Sequence, residues 1–538
     1  MDKSWLPGSI RWDSGWAKMG WTTALLVWAA SWAPVGPSPA PLPGHGVDPW
    51  GLSSDTLVVE APQATDEGEG PLSAALDQLL GDLFEPDKPG AAVFVSTRDR
   101  DVVKARGLAS MEHGLPITLE TVFDGASVAK QFTALGLALL VERELLSLDD
   151  PVRRWLPEFP AHEPPVRIHH LLHHTSGVRD WPGLLLLAGW RFEDVLTHEQ
   201  ILRVTFGQAD LNFPAGSRTT YSNTGYVLLA EIIGRRSGMA FPEFMRQEIF
   251  GPLGMRDTRI AGGAGEVIPR RATSYRVTPD EVRGVPSNLS AWGSSSLFTS
   301  AGDLLRWVEF LHGGESAALE LRAAAERLAE AEGPGMVTPR YGWGQVVEGW
   351  EAHRLVRHGG AWAGYRSALL RLPEQQIAVG VLGNRSDLDA DALAESVLSL
   401  VLAEGDETPT ESVAYEVGGV TTPGNMPTSG PGVANASGAG PAPDPPEADA
   451  PRMELSEYLG DYRNVELEST YNLTPLGDAL LATHARLGHH LLRAVGPDHF
   501  RSVVFGEIRF QRDSRGRITG FTAHQPRNTG IRFQRVDS

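Results

Sequence analysis

The chain of 538 residues is 41% hydrophobic and carries a formal net charge of −20, and it contains no cysteine. The negative charge argues against nucleic acid and anionic lipid as partners, because phosphate binding requires a basic face. The lack of cysteine excludes disulfides, thiolate metal sites and a cysteine nucleophile. The length predicts roughly two to four domains, or one large domain with additions.

The first 33 residues are typical of an export signal. Basic residues precede an apolar run over residues 19–33, which is too short to span a bilayer comfortably and suits the hydrophobic part of a signal peptide. We therefore expect an exported protein, periplasmic or extracellular, with an uncleaved N-terminal anchor or a misassigned start as the alternatives. Residues 34–70 are rich in proline, glycine and acidic residues and are predicted to be a disordered linker.

Residues 71–403 are predicted to form one domain of mixed α/β structure. An amphipathic helix begins at Pro71, residues 91–96 are typical of a strand, and residues 102–108 are its expected hairpin partner. Helices occupy the middle of this segment, strands resume at Tyr341, and a helix over residues 391–403 closes it. Strands at both ends of a helical segment predict a sheet assembled from distant parts of the chain.

The segment Gly125-Ala-Ser-Val-Ala-Lys130 comes directly before a helix-prone run, so Ser127 should lie at a helix N-terminus. Ser127 and Lys130 are one turn apart and share a face. The positive helix end favours an alkoxide on Ser127 and disfavours a charge on Lys130. A serine with an amine base one turn away is a known nucleophilic unit. The alternative is a chance S-x-x-K on a solvated helix face.

The use of lysine is unusual in this chain. There are five lysines, and none follows Lys130, so arginine carries nearly all of the positive charge. Arginine keeps its proton in proteins, whereas a desolvated lysine can lose it. A lysine retained inside an apolar helix therefore indicates a task that arginine cannot perform.

Histidines cluster in the segment His169-His-Leu-Leu-His-His-Thr-Ser-Gly177. Two pairs have i,i+4 spacing, which zinc ligands on a helix use, but neither an H-E-x-x-H arrangement nor an acidic third ligand accompanies them. We therefore expect a structural loop here, with no metal and no other cofactor.

Three separated motifs resemble the serine β-lactamase and penicillin-binding-protein superfamily: Ser127-Val-Ala-Lys130, Tyr221-Ser-Asn223 and His358-Gly-Gly360. They are most similar to the class C β-lactamase-like branch, which includes D-alanyl-D-alanine carboxypeptidases, D-aminopeptidases and esterases. Each motif alone is weak, and their order and spacing carry the resemblance, which covers residues 71–403. It implies a β-lactamase-like fold, with an antiparallel sheet flanked by helices and an all-helical subdomain.

The resemblance implies a role for each matching residue. Ser127 would be the acylated nucleophile, and Lys130 would take its proton. Tyr221 would be the partner base and acid that protonates the leaving group, with a pKa lowered by nearby positive charge. Asn223 would hold Lys130 and the substrate amide. The backbone N–H groups of Ser127 and Ala361 would form the oxyanion hole.

The third motif departs from the β-lactamase pattern. Lysine normally opens it and binds the antibiotic's carboxylate, whereas His358 stands here, followed by Gly360 and Ala361 in the expected substrate-binding strand. Histidine is only partly charged near neutral pH, so we expect weak carboxylate recognition and inefficient hydrolysis of penicillins and cephalosporins. Arg357 or Arg366 could substitute, although strand alternation places Arg357 on the face opposite His358.

The C-terminal part is organised differently. Residues 404–451 are of low complexity and are predicted to be a disordered linker. Residues 452–538 alternate short strands with turns, which predicts a small β-barrel or sandwich. This segment resembles the lipocalin-like barrel appended to some relatives of the superfamily.

The sequence therefore predicts a serine hydrolase that forms an acyl-enzyme and cleaves an ester or a small amide or peptide, D-configured substrates included. The alternatives are a true β-lactamase, a penicillin-recognising sensor that acylates without turnover, and a non-catalytic scaffold whose barrel binds. The chain lacks a G-x-S-x-G motif, which argues against the α/β-hydrolase route. The expected partner is a small-molecule or short-peptide substrate, and the oligomeric state is open.

Overall fold

A computed structural model describes residues 70–314, 319–329, 340–405 and 454–536. The expected export signal and nearly all of both expected linkers lie outside these residues and stay predictions. Within the described ranges, none of the helices combines the length and the apolar character needed to cross a membrane.

The helices of the described residues surround the sheet and fill the middle of the sequence. In chain order they are α1 Pro71–Leu83, α2 Ala129–Glu142, α3 Ile168–Leu172, α4 Trp181–Leu187, α5 His198–Phe206, α6 Asn223–Ser237, α7 Phe241–Phe244, α8 Ala301–Leu311, α9 Leu319–Ala329 and α10 Ala390–Gly405. Single 3₁₀ turns lie at Ala126–Val128, Val152–Arg154 and Leu455–Tyr458, and a π-helical segment lies at Met245–Phe250.

The strands form a main sheet, three small sheets and a barrel. In chain order they are β1 Ala91–Ser96, β2 Asp101–Arg106, β3 Leu108–Ser110, β4 Leu115–Pro116, β5 Phe123–Asp124, β6 Arg259–Ile260, β7 Tyr275–Val277, β8 Val282–Gly284, β9 Leu297–Thr299, β10 Arg340–Gly342, β11 Gln345–Trp350, β12 His353–Trp362, β13 Tyr365–Leu372, β14 Ile377–Gly383, β15 Gly460–Asn464, β16 Ser469–Leu476, β17 Ala479–His484, β18 Gly488–Gly496, β19 His499–Ser502, β20 Gly506–Arg512, β21 Ile518–Gln525 and β22 Asn528–Arg535.

The main sheet has seven strands in the order β10-β11-β12-β13-β14-β1-β2, and all its pairings are antiparallel. Strand β1 pairs with β14, so that Ala91 lies opposite Gly383. The predicted sheet of distant strands is therefore confirmed.

Alternate side chains of β1 pack into two different apolar clusters, one on each face of the main sheet. Val93 and Val95 pack in the cluster that contains Leu76 of α1, whereas Ala92 and Phe94 face the helical side. Because successive strand residues point to opposite faces, the sheet buries apolar side chains on both sides.

Helix α2 is the centre of the helical side. All of its residues from Ala129 to Leu140 are buried, so this part of the helix is enclosed around its whole circumference. The Phe132 ring contacts Trp307 of α8 at a centroid distance of 4.2 Å and Phe250 at 5.6 Å. A polar side chain on this helix is therefore necessarily desolvated.

Strands β15–β22 close into an eight-stranded barrel in chain order, with β22 paired to β15. The barrel is small enough for side chains to fill its interior. The aromatic rings of Tyr462, Phe510, Phe521 and Phe533 are buried there, and the Phe521 and Phe533 rings stack at 4.8 Å. The predicted fold class, a β-lactamase-like domain with an added C-terminal barrel, is confirmed.

One buried side chain ties segments that are far apart in the sequence. Asn384, which follows β14, accepts a hydrogen bond from the Gly90 N–H at 3.0 Å and donates to the carbonyls of Leu108 and Thr273 at 3.0 and 2.9 Å. Its exposed fraction is 0%. Leucine has a similar volume but would leave these three backbone groups without this partner.

We expect Asn384→Leu to lower the melting temperature by more than about 5 °C, because each buried polar group left unsatisfied costs roughly 1–3 kcal/mol. Thermal unfolding followed by circular dichroism measures this. The control is Asn472→Leu, which removes an exposed bond to Asp461 and should shift the transition much less. Equal shifts in the two variants would contradict the role of Asn384.

Candidate active site

Ser127 lies in the 3₁₀ turn that leads directly into α2, as the sequence predicts. The preceding residue, Ala126, has φ of +45°, a conformation that is unfavourable for a residue with a Cβ. The Ala126 N–H donates to the Asp124 carboxylate at 2.9 Å, which holds the turn. Burial raises the pKa of Asp124 to about 6, against the lowering effects of this bond and of Arg271.

Lys130 is fully buried and its amine faces three oxygen atoms. Its Nζ lies 3.0 Å from Ser127 Oγ, 2.9 Å from Asn223 Oδ1 and 2.7 Å from the Ser294 carbonyl oxygen. A neutral amine can donate two hydrogen bonds and accept one from the serine hydroxyl, whereas an ammonium can donate to all three. The same geometry therefore serves both protonation states. The alternative of a solvated S-x-x-K is wrong.

The environment of Lys130 favours the neutral amine. Burial lowers its pKa well below the ordinary value, and the positive charge of Arg527 acts in the same direction. The negative charge of Asp180 opposes both effects. A desolvated neutral amine beside a hydroxyl is suited to accept the hydroxyl proton.

Tyr221 reaches the same hydroxyl from the start of α6. Its hydroxyl donates to Ser127 Oγ at 3.2 Å, and Lys130 Nζ lies 5.0 Å from the ring centroid. The expected lowering of the Tyr221 pKa is wrong. Burial raises the pKa, and the opposing effects of the Ser127 hydrogen bond and the Arg527 charge are smaller. The phenol consequently stays protonated and is a proton donor in the resting site.

The histidine-rich loop packs against Tyr221 and bonds to the residues on either side of it. The His174 ring packs against the Tyr221 ring at a centroid distance of 4.3 Å. Its carbonyl accepts from the Thr220 N–H, and its Nδ1 accepts from the Ser222 N–H at 3.3 Å. Burial lowers the pKa of His174 well below its usual value, which keeps the ring neutral. Among the residues that the structure describes, no three His, Asp or Glu side chains converge as metal ligands would.

Asn223 connects Lys130 to a carboxylate that the sequence analysis missed. While its Oδ1 accepts from Lys130, its N–H and Nδ2 donate to the Asp180 carboxylate at 2.7 and 3.3 Å. Asp180 is only 2% exposed. The sequence did contain a hint of this carboxylate, since Arg179 and Asp180 are adjacent charged residues next to an apolar run. A charge that becomes buried in such a place requires a partner.

His358 is a neutral hydrogen-bonding residue in this structure. Its Nδ1 lies 2.6 Å from the Gly359 carbonyl, which can only accept, so Nδ1 carries the proton and Nε2 accepts from the Tyr341 hydroxyl at 3.1 Å. Burial, with the charge of Lys130, lowers the pKa of His358 to about 3. The expectation of a partly charged histidine is therefore corrected to an uncharged one.

Both neighbouring arginines are bonded to other groups of the protein. Arg357 forms ion pairs with Glu348, Asp391 and Glu395 on the opposite face of β12, as strand alternation predicts. The Arg366 guanidinium donates to the carbonyls of Ala363 and Tyr365.

Strand β12 runs directly alongside Ser127. A Cβ on Gly360 would lie 2.4 Å from the Gly125 carbonyl oxygen and 3.1 Å from the Ser127 nitrogen, distances too short for any side chain. This close approach places β12 against the Ser127 turn, and the expected contribution of the Ala361 N–H to an oxyanion hole stays a prediction.

A further cation reaches this site from the barrel. The guanidinium carbon of Arg527 lies 4.6 Å from the centroid of the Tyr221 ring, and its Nη1 is 3.3 Å from the Asp180 carboxylate. The sequence analysis missed this residue. Its place in a turn between two barrel strands carries no local signal of a role in the site.

Comparisons with known proteins find related sequences and folds. A family model described as Beta-lactamase matches residues 73–403. Penicillin-binding protein 4* of Bacillus subtilis (strain 168) is 32% identical over 303 residues, which are 52% of this chain and 64% of that protein. Esterase EstB of Burkholderia gladioli is 32% identical over 310 residues, 51% of this chain and 78% of its own length. The chain thus spans slightly less than two thirds of the first of these relatives.

A solved structure extends the similarity of fold over more of the chain. The octameric penicillin-binding protein homologue from Pyrococcus abyssi aligns with a TM-score of 0.53 at 22% identity. The alignment covers 84% of this chain and 96% of that one.

We expect Gly360→Ala to lower kcat/KM for an ester by about 100-fold or more, because the new Cβ must displace the backbone of the Ser127 turn. Steady-state kinetics measures the loss, and circular dichroism verifies the fold. The matched control is Gly349→Ala on the adjacent strand β11, where a Cβ meets no atom within 4 Å. Wild-type rates in Gly360→Ala would contradict the close approach.

Proposed function

Because the chain belongs to the beta-lactamase family, we propose that it is a serine hydrolase that forms an acyl-enzyme on Ser127. One observation carries the proposal: Ser127 Oγ lies 3.0 Å from the buried amine of Lys130 and 3.2 Å from the Tyr221 hydroxyl. A nucleophile between a desolvated base and a protonated phenol has the groups that acyl transfer requires.

In the first half of the proposed reaction, the Ser127 hydroxyl attacks the carbonyl carbon of the substrate and its proton passes to the neutral Lys130 amine. The new Oγ–C bond creates a tetrahedral oxyanion, which the backbone N–H groups of Ser127 and Ala361 stabilise. The bond to the leaving group then breaks, and Tyr221 donates its proton to the departing atom. The proton held by Lys130 restores the Tyr221 phenol, so no net charge accumulates.

In the second half, water adds to the acyl carbon and gives one proton to the Lys130–Tyr221 pair. The Oγ–C bond breaks, the acid product leaves, and Ser127 recovers its proton from that pair. Asn223 keeps Lys130 in place throughout, since it holds the amine at 2.9 Å and is itself fixed by Asp180.

The proposed substrates are esters and small amides or peptides, D-configured ones included. The name of esterase EstB supports ester cleavage. The neutral His358 supports the expectation that penicillins and cephalosporins are poor substrates, because strand β12 carries no cation at the third-motif position where the resemblance implies one for their carboxylate. A chromogenic ester tests the class: a burst followed by steady turnover is the expected result. A burst that stops at one equivalent would instead indicate a sensor, and no burst would refute the proposal.

We expect Ser127→Ala to abolish covalent labelling by a fluorophosphonate probe, because the probe reacts with an activated serine oxygen. Gel fluorescence of the purified protein measures the labelling. The matched control is Ser396→Ala, whose hydroxyl donates to the Ala392 carbonyl on α10 and should leave labelling unchanged. Persistent labelling of Ser127→Ala would assign the nucleophile to another residue.

We expect Lys130→Arg to lower kcat/KM by about 10²–10⁴-fold, since the guanidinium keeps its proton and cannot act as a base. Lys104→Arg is the matched control, because Lys104 forms a surface ion pair with Asp77.

The wild-type pH profile provides an independent measurement of the Lys130 base. The lowered pKa of Lys130 means that kcat/KM falls, as the amine becomes protonated, only at a pH well below the ordinary lysine pKa. The raised pKa of Tyr221 keeps the phenol protonated at alkaline pH. A rate that rises only near about pH 10 would show that Lys130 has its ordinary pKa.

A further inference from the structure

The turn between β21 and β22 is fixed to the catalytic domain by reciprocal hydrogen bonds. We call residues 525–530 the docking turn. Asn528 accepts from the Asp180 N–H at 2.6 Å and donates to the Asp180 carbonyl at 3.1 Å. Asn212 donates to the Arg527 carbonyl at 2.8 Å and accepts from the Thr529 N–H at 2.7 Å. The backbone of Arg527 is thus held between two asparagine clamps.

A buried arginine of the catalytic domain adds to this attachment. The Arg179 guanidinium donates to the carbonyls of Thr529 and Gly530 at 3.2 and 3.3 Å. It also forms an ion pair with Glu466, which lies between strands β15 and β16. Such paired and buried contacts fix a geometry more firmly than exposed ion pairs do. The docking turn is therefore fixed to the catalytic domain at Asp180, next to the candidate active site.

This attachment holds the Arg527 side chain over Tyr221. Its guanidinium carbon is 4.6 Å from the centroid of the Tyr221 ring, and the side chain remains 13% exposed. Asp180 takes one of its N–H groups at 3.3 Å, and a guanidinium can hold acceptors on more than one edge. Arg527 therefore places a positive charge beside the phenol, with part of its side chain exposed.

The position of this charge relative to Tyr221 has a chemical consequence. In the proposed reaction, Tyr221 donates its proton to the leaving group, so the leaving group must lie near the phenol. A cation on the same side of the scissile bond can bind an anion carried by the leaving group. The neutral His358 makes no competing ionic contact.

We propose that Arg527 is a specificity residue that binds a carboxylate on the leaving group of the substrate. The inference rests on the proposed function and narrows its substrate class. Favoured substrates would release an amino acid or hydroxy acid that carries a free carboxylate, as in carboxypeptidase-type cleavage.

Two esters that differ only in charge test this inference. Both carry the same N-acylglycyl group, and their leaving groups are 3-hydroxybenzoate and the nearly isosteric, neutral 3-hydroxybenzamide. A charge-assisted pair predicts that the wild-type kcat/KM for the benzoate ester exceeds that for the benzamide ester by roughly 10-fold or more. The ratio of the two values is independent of the fraction of folded enzyme.

The ratio should fall to about one in Arg527→Ala and below one in Arg527→Glu, while Arg527→Lys should retain part of the preference. The matched control is Arg517→Ala, which removes an exposed barrel arginine paired with Asp513 and should keep the wild-type ratio. If Arg527 only stabilised the docking turn, its removal would change both rates together and leave the ratio intact.

The failures of the two proposals are distinguishable. A wild-type ratio near one, or a full ratio in Arg527→Ala, overturns the role of Arg527, while turnover of the neutral ester still supports the hydrolase. If the wild-type protein cleaves neither ester and the fluorophosphonate leaves it unlabelled, the hydrolase proposal fails and the inference fails with it.

Discussion

The desolvation of one amine is the constraint on which the rest of this site depends. Lys130 lies in a helix that is buried around its whole circumference, so its charge has no access to bulk water. Three oxygen atoms surround the amine at hydrogen-bond distance, which makes its burial tolerable in either protonation state. In the proposed reaction, the same burial that lowers the Lys130 pKa provides a base that arginine could not supply.

The residues around Lys130 come from several parts of the fold. Ser127 is presented by a turn whose backbone is held by Asp124, and the strand beside that turn requires glycine at position 360. Asn223 and Tyr221 come from the start of α6, where the Asp180 carboxylate and the His174 ring hold them. The active site is therefore a point where the sheet, the helical part and the histidine-rich loop meet.

The C-terminal barrel belongs to the same arrangement. Aromatic side chains fill its interior, so its contribution to the site comes from its edge. One turn of the barrel is bonded to Asp180 and Asn212 and carries Arg527 to the face of Tyr221. The barrel thus adds a positive charge beside Tyr221, at a position different from that of the neutral His358 in the third motif.

The sequence by itself determined the fold class and the family, because helix and strand periodicity and three short motifs are local features. It also identified Ser127, Lys130 and Tyr221 as candidate catalytic residues, because the spacing and the surroundings of their motifs indicate that chemistry. The tertiary structure alone decided the protonation states and the remaining partners. The pKa of Tyr221 rises and that of His358 falls because of burial, which depends on packing from every side. Asp180 and Arg527 enter the site through contacts between segments that no sequence window contains.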